Sequence, residues 1–452
     1  MNKQKTVFIC TQCTFQTNKW LGMCPECQSW ASLEEQTIVA GEQKISRPPK
    51  PILKFHEIIF TEQERIKSGI DEWDRVMGGG IMPASLIILT GDPGIGKSTL
   101  LAQIAAKISN KKKVFYFSTE ESLNQIKQRA CRLGLENSGL FISDERNFES
   151  IEQIITTEKP DLAIIDSIQS CFLTENSAPL PGTISQLKEI AFRFITLAKN
   201  NNVAIIATGH ITKDGNMAGP KLLEHMVDAV FYLHGEQTLG NRILTATKNR
   251  FGAIGEVGFF QMNSEGLAPI QNINERLLSE TIQAPGSCLA LISQGTRPVI
   301  IEFQALSVKS KFGQPQRIIT GADYKRVSLV VAILEKYLKM NFSAHDLFFK
   351  VSGDLSTKES NSDLAVALAL MSSYFGEPLT KNTLALGEIS LTGQIKTNKR
   401  DLGIAEQVSK IGIKQLVVGT VESSGQNTPN LTVAKNVFEL LKLFRKKEGD
   451  SE

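Results

Sequence analysis

The sequence predicts an α/β chain of more than one domain, and three observations carry that prediction. Residues 91–99 form a complete glycine-rich G-x-x-x-x-G-K-[ST] loop between a strand-like and a helix-like run. From about residue 54 to about residue 272, short β-branched apolar runs alternate with helical ones, the pattern of a parallel sheet covered by helices. Four of the seven cysteines stand in the first thirty residues as two C-x-x-C pairs.

The cysteine module comes first. Cys10 and Cys13, then Cys24 and Cys27, give two knuckles with ten residues between them, each aiming two thiolates at one tetrahedral ion. A segment this short buries too little apolar surface to fold without a staple, so a structural Zn2+ ribbon over residues 1–35 is expected; two disulfides or a redox pair are the alternatives. Cys131, Cys171 and Cys288 are isolated and read as small core residues. Residues 36–53, with Pro48, Pro49 and Pro51, read as a linker, residues 54–272 as the parallel α/β domain and residues 273–452 as a second α/β domain ending in a charged tail.

Composition sets outer limits. At 452 residues the chain exceeds one core, and 41% apolar residues suffice for several. A formal net charge of +3 excludes a histone-like polycation and leaves any nucleic-acid binding to a local basic patch. No run of eighteen apolar residues occurs, and Met1-Asn2-Lys3-Gln4-Lys5 leads into the cysteine motif, so a cytoplasmic chain with no membrane partner is expected.

In the second section the strand-like run 86–90 leads into Gly91-Asp92-Pro93-Gly94-Ile95-Gly96-Lys97-Ser98-Thr99. Gly91, Gly94 and Gly96 permit positive φ, so successive N–H groups face one hollow at a helix N-terminus. That hollow suits a nucleoside triphosphate. Lys97 is placed to reach the β and γ phosphates, the Ser98 hydroxyl to ligate Mg2+, and Thr99 to cap the first helical turn. Strands are also expected at 114–118, 162–166, 203–208 and 229–233, with the chemistry at their carboxyl ends. Asp166 closes one of them and reads as the second Mg2+ group, or as the cap of the next turn. Glu120 stands where a carboxylate orients the attacking water; Glu121 is adjacent, and an acidic pair is also simply favoured at a helix start. His210 either senses the γ-phosphate or is satisfied locally.

The strand-like run 242–247 leads into Lys248-Asn249-Arg250-Phe251-Gly252. Three roles are open: cations reaching another subunit's nucleotide, nucleic-acid contact with Phe251 as a stacking platform, or a solvated basic turn. In the last section a strand is expected at 299–303 and helices at 327–338 and 363–375.

Taken in order, these elements resemble the bacterial RadA (Sms) recombination and repair ATPases nearly end to end. The resemblance also runs through Lys19-Trp20-Leu21-Gly22, Ser118-Thr119-Glu120-Glu121-Ser122, Gly209-His210-Ile211-Thr212-Lys213-Asp214-Gly215 and Leu223-Glu224-His225-Met226-Val227-Asp228. It implies a RecA-like P-loop ATPase core using ATP, Mg2+ and Zn2+, assembled as a hexameric ring on single-stranded DNA. The implied work is branch migration of recombination intermediates, with a RecA-type recombinase as partner. Lys97, Glu120 and Asp166 are implied as phosphate-loop lysine, catalytic glutamate and Walker B acid, and Lys248 and Arg250 as the element coupling nucleotide to DNA.

The last section resembles the C-terminal domain of Lon proteases, in which a lysine activates a serine nucleophile. Here the serine's place falls at Asn361, between Ser360 and Ser362, and the lysine's place at Leu402, so the domain reads as catalytically disarmed. Where RadA relatives usually read Gly-Gly and Pro-Ala-Ala, this chain has Ser352-Gly353-Asp354 and Ser360-Asn361-Ser362. The leading expectation is therefore a DNA-dependent motor ATPase; the rivals are an ATP-dependent protease and a nucleotide-switched assembly protein.

Overall fold

The computed structural model describes residues 5–10, 16–17, 22, 33–38, 53–57, 64–174, 183–210, 223–235, 240–311, 315–352, 355–409, 411–421 and 430–444. The chain forms two compact units, residues 1–62 and 63–452. In the first, β1 (Lys5–Cys10), β2 (Gln16–Thr17) and β3 (Leu33–Ile38) make an antiparallel sheet in the order β2-β1-β3. Cys10 ends β1, whereas Cys13, Cys24 and Cys27 lie outside the described residues, as do the prolines of the expected linker.

The second unit begins with α1 (Asp71–Val76), β4 (Leu86–Gly91), α2 (Lys97–Ser109), β5 (Val114–Ser118), α3 (Leu123–Arg132), β6 (Phe141–Ser143), α4 (Phe148–Glu158) and β7 (Leu162–Asp166). It continues through α5 (Ile184–Asn201), β8 (Ala204–His210), β9 (Ala229–His234), β10 (Asn241–Asn249), β11 (Val257–Asn263) and β12 (Gly266–Pro269). These strands form one nine-stranded sheet in the order β12-β11-β10-β9-β4-β8-β7-β5-β6. From β9 to β6 neighbouring strands run parallel; β10, β11 and β12 add antiparallel neighbours.

Every residue of β4, β5 and β7 is buried, because helices cover both faces of the sheet. Alternation along β4 sorts its side chains between two cores. Ile87 and Leu89 pack with Leu100, Leu101 and Ile104 of α2; Leu86 and Ile88 pack with Phe148 and Ile155 of α4 and Phe194 of α5. The Phe148 and Phe194 rings meet edge-on with centroids 4.9 Å apart.

After α6 (Ile273–Glu280) come β13 (Ser287–Gln294), β14 (Arg297–Lys309), β15 (Arg317–Thr320), α7 (Tyr324–Leu338), β16 (His345–Val351) and α8 (Asp363–Phe375). Then follow β17 (Thr383–Leu386), β18 (Glu388–Ile389), β19 (Ile395–Lys396), α9 (Lys399–Ser409), β20 (Gln415–Val418) and β21 (Leu431–Val433). The seven-stranded mixed sheet has the order β15-β16-β14-β13-β17-β20-β21. Helix α8 is buried from Asp363 to Ser372, as expected of a helix apolar on all sides.

The two sheets share apolar contacts. Ile243, Val257 and Phe259 belong to the same cluster as Val299, Val330 and Leu368. An ionic seam closes over them: Glu72 of α1 accepts two bonds from Arg297 Nη1 of β14, at 2.9 and 3.0 Å, and one from Arg75 at 3.0 Å. Arg75 also donates to Glu256 at 2.9 Å, and Glu256 in turn accepts the Thr296 N–H at 2.7 Å. Among the described residues no helix is long and apolar enough to cross a membrane.

Candidate active site

Strand β4 delivers the chain to the phosphate loop, and the loop's glycines divide its tasks. Gly91 takes φ +149°, and a Cβ there would meet the Leu233 carbonyl oxygen at 2.1 Å; at Gly96, φ +112°, it would meet the Met262 methyl at 2.7 Å. These two glycines let the loop lie against the sheet. Gly94, at φ +75°, faces open space, with nothing within 4 Å of a Cβ position. Gly96 is the N-cap of α2 and no side chain caps this helix. Thr99 therefore does not cap the helix, contrary to expectation: it is the third residue of the first turn, and the leading N–H groups stay available to an anion. Ser98, half-buried, follows Lys97 into the helix.

Lys97 is buried, 5% exposed, and its Nζ donates to the Gly91 and Asp92 carbonyls at 2.8 and 3.0 Å. Burial lowers its pKa, while the carboxylates of Asp166, Asp92 and Glu120 pull it back up. A cation held over backbone carbonyls and facing three acids is poised for a ligand that offers more negative charge.

The acids sit on neighbouring strand ends, since Ser118 of β5 pairs with Asp166 of β7. Asp166 accepts from the Tyr116 hydroxyl at 2.6 Å and from Thr208 Oγ1 at 2.8 Å. Burial first, and the charge of Asp166 second, push the Tyr116 phenol well above its usual range, so it remains a donor. Glu120 Oε1 accepts from Ser167 Oγ at 2.6 Å and Ser170 Oγ at 3.2 Å. Glu121 turns away to an ion pair with Arg129 at 2.7 Å, which separates two residues that sequence left interchangeable. The set of Ser98, Asp166 and Glu120 oxygens beside a buried lysine fits a Mg2+-bound triphosphate, since Mg2+ takes hard oxygen ligands. His210 ends β8 with its backbone paired to Gly91; its side chain lies outside the described residues.

Arg242 was not singled out from the sequence. Its guanidinium, 5% exposed, donates Nε to the Ile95 carbonyl at 2.9 Å and so braces the loop from beneath; burial lowers its pKa. The available signal was a charged residue opening an otherwise apolar strand-like run.

The basic turn lies elsewhere. Asn249 pairs with Ala229, which pairs with Ile87, whereas Gly91 pairs with Leu233. Four residues of strand, ~13 Å, thus separate the turn from the phosphate loop along the sheet. A register shift between Ala246 and Lys248 re-aims the chain there. Lys248 Nζ donates to the Glu224 and His225 carbonyls at 2.5 and 3.3 Å, and Arg250 pairs with Asp228 at 3.1 Å. Burial lowers the Lys248 pKa, with Arg250 adding to the effect. Two segments that the sequence presents separately, residues 223–228 and 248–252, are one assembly. Phe251 is half-buried, its carbonyl accepts from Arg65 at 2.8 Å, and a Cβ on Gly78 would meet that oxygen at 2.7 Å.

In the seven-stranded part, Asn361 lies in a short 3-10 turn before α8, beside a cleft of about 640 Å3 that Ser360, Lys396 and Lys399 also line. No hydrogen bond joins Ser360 to either lysine among the described residues. Leu402, at the lysine's expected place, is 6% exposed and packs with Leu384, Leu386 and Leu416. Asp363 is held by both Arg326 Nε, at 3.1 Å, and Nη2, at 2.7 Å.

Comparison with known proteins matches three stretches of the chain. Residues 8–35 match the Rubredoxin metal binding domain, residues 50–216 an AAA domain, and residues 321–422 the Subunit ChlI of Mg-chelatase. DNA repair protein RadA of Halalkalibacterium halodurans is 40% identical over 442 residues, 95% of this chain and 96% of that protein. DNA repair protein RadA of Bacillus subtilis is 37% identical over 439 residues, 95% of each chain. The RadA protein of Listeria monocytogenes is 38% identical over 422 residues, 92% of each chain.

Proposed function

The chain belongs to the family of the DNA repair protein RadA, and we propose on that premise that it is a DNA-dependent ATPase of recombination and repair. In this reading it works as a hexameric ring on single-stranded DNA and moves branched recombination intermediates, with a RecA-type recombinase as partner. The observation that carries it is the convergence of Lys97, Asp166 and Glu120 on the open side of the phosphate loop.

On ATP binding, Lys97 exchanges the Gly91 and Asp92 carbonyls for phosphate oxygens, and the N–H groups of the loop and first turn of α2 take the rest. Ser98 and Asp166 would hold Mg2+, which would supply positive charge against that developing on the transferred phosphoryl group. Tyr116 and Thr208 fix the Asp166 carboxylate, so its position does not have to be reorganised during the reaction. Glu120, steadied by Ser167 and Ser170, orients the attacking water. The four residues of strand between the 248–250 turn and the phosphate loop favour a role for Lys248 and Arg250 in trans on a neighbour's phosphates or on DNA over one on the nucleotide of their own subunit.

The test is the rate of ATP hydrolysis with and without single-stranded DNA for the wild type, Lys97→Ala and Lys248→Ala. Stimulation of the wild type by DNA, lost with Lys97→Ala, is expected. A wild type that neither binds DNA nor responds to it would sink the motor reading and leave a nucleotide-switched assembly protein. Retained DNA binding without turnover in Lys248→Ala assigns Lys248 to the neighbour's nucleotide.

A further inference from the structure

A second basic site stands at the same sheet edge as the 248–251 turn, away from the phosphate loop. A cleft of about 520 Å3 is lined by residues 64–69 and by the end of α2 with the turn that follows it. Arg65, Lys67, Lys107, Lys111 and Lys112 line it against one carboxylate, Glu64. Helix α2 starts at the phosphate loop and runs thirteen residues, so the cleft lies ~20 Å from Lys97 and cannot serve the same phosphates. Its volume falls within the ~300–1,000 Å3 usual for ligand clefts.

Part of this charge has local partners. Lys107 donates to the Gly69 carbonyl at 3.2 Å, and Lys112 pairs with Asp161 at 3.4 Å. Favourable placement of cations at a helix C-terminus accounts for the lysines after α2. It does not account for Lys67, which comes from a separate segment. Lys67 and Lys111 are exposed, and their side-chain amines make no hydrogen bond or ion pair with another described residue. Arg65 links the cleft to the basic turn, since its Nη1 donates to the Met77 carbonyl at 3.4 Å and its Nη2 to that of Phe251 at 2.8 Å. Like charges gathered in a concavity repel one another and concentrate anions there.

We propose that this cleft, continuous through Arg65 with the 248–251 turn, binds backbone phosphates of single-stranded nucleic acid. The inference rests on the DNA-binding reading above and adds a site to it. Lysines supply point charges without base readout, so the contact is independent of sequence and strongly salt-dependent.

The test uses the full chain, a fluorescent oligothymidine and a salt titration. For Lys67→Ala/Lys111→Ala the slope of log binding constant against log salt is expected to fall by about 1.4, at ~0.7 per lost phosphate contact, with roughly 10-fold weaker binding at physiological salt. Lys67→Arg/Lys111→Arg restores both, and ATP hydrolysis without DNA is unchanged in either variant. An alanine variant with the slope and affinity of the wild type overturns the site while leaving DNA binding intact. A wild type that fails to bind the oligonucleotide overturns the parent reading and this one together. Loss of binding to a polyglutamate peptide, with DNA binding unaltered, overturns it in favour of an acidic protein partner.

Discussion

The nine-stranded sheet sets Asp166, the last residue of β7, and Glu120, two residues past the end of β5, to face Lys97. The seven-stranded part carries Asn361 in the turn before α8 and Leu402 in α9, the positions that the resemblance to Lon proteases gives to serine and lysine. In the first, charged groups answer one another: buried Lys97 faces buried Asp166 and the exposed carboxylates of Asp92 and Glu120, and both oxygens of Asp166 hold hydroxyl donors. In the second, Leu402 packs in an apolar core, and Lys396 and Lys399 stand on a cleft wall. The contrast teaches that a covered sheet does not by itself make a site, because packing asks only for apolar shape whereas catalysis asks for particular atoms in particular places.

Substitutions in the first sheet are expected to have the largest effects. Glu120→Gln should lower ATP turnover by ~10²–10⁴-fold while nucleotide binding persists, and Glu121→Gln, which removes only an ion pair to Arg129, should stay near wild type. Phosphate release against nucleotide binding checks this; the reverse ranking would move the water-orienting role to Glu121. Lys97→Ala should cost ~10²–10³-fold, with secondary structure by circular dichroism unchanged.

In the second sheet the prediction is loss without gain. Asn361→Ser/Leu402→Lys restores both protease groups in name, yet it should yield no casein cleavage and should lower stability by ~2–5 kcal/mol in chemical denaturation, because a lysine replaces a buried leucine. Cleavage by that variant would mean the domain is one step from a protease. The smallest effect concerns thiols. Burial pushes Cys171 up to about 12 and raises Cys288, so both stay protonated below that range and should resist iodoacetamide at mildly alkaline pH, whereas exposed Cys131 is labelled. Mass spectrometry of the labelled chain reads the result.

How much of this was legible in the sequence follows from burial. Strands 114–118 and 162–166 are found to the residue, because a strand covered on both faces is a continuous apolar run with a polar stop. The phosphate loop was legible for the same reason, having a strand before it and a helix after. What escaped depends on partners distant in the chain. Arg242 looks like a surface charge until its hydrogen bond to Ile95 is seen, and nothing local joins Lys248 to the 224 and 225 carbonyls. Thr99 was misread because a threonine near a helix start resembles a cap, whereas this helix starts from a left-handed glycine. Glu120 and Glu121 separate only when Ser167 and Arg129 are in place.

The ionic seam at Glu72 bears on how the molecule can be taken apart. Its cation Arg297 and the apolar cover over Ile243, Val257 and Phe259 are both supplied from beyond residue 272. A gene cut at that point would leave a buried carboxylate short of its strongest partner and lay bare the underside of β10 and β11, an aggregation-prone wound. The seven-stranded part is, in that sense, a resident folding partner, half of an interior that its neighbour cannot complete alone.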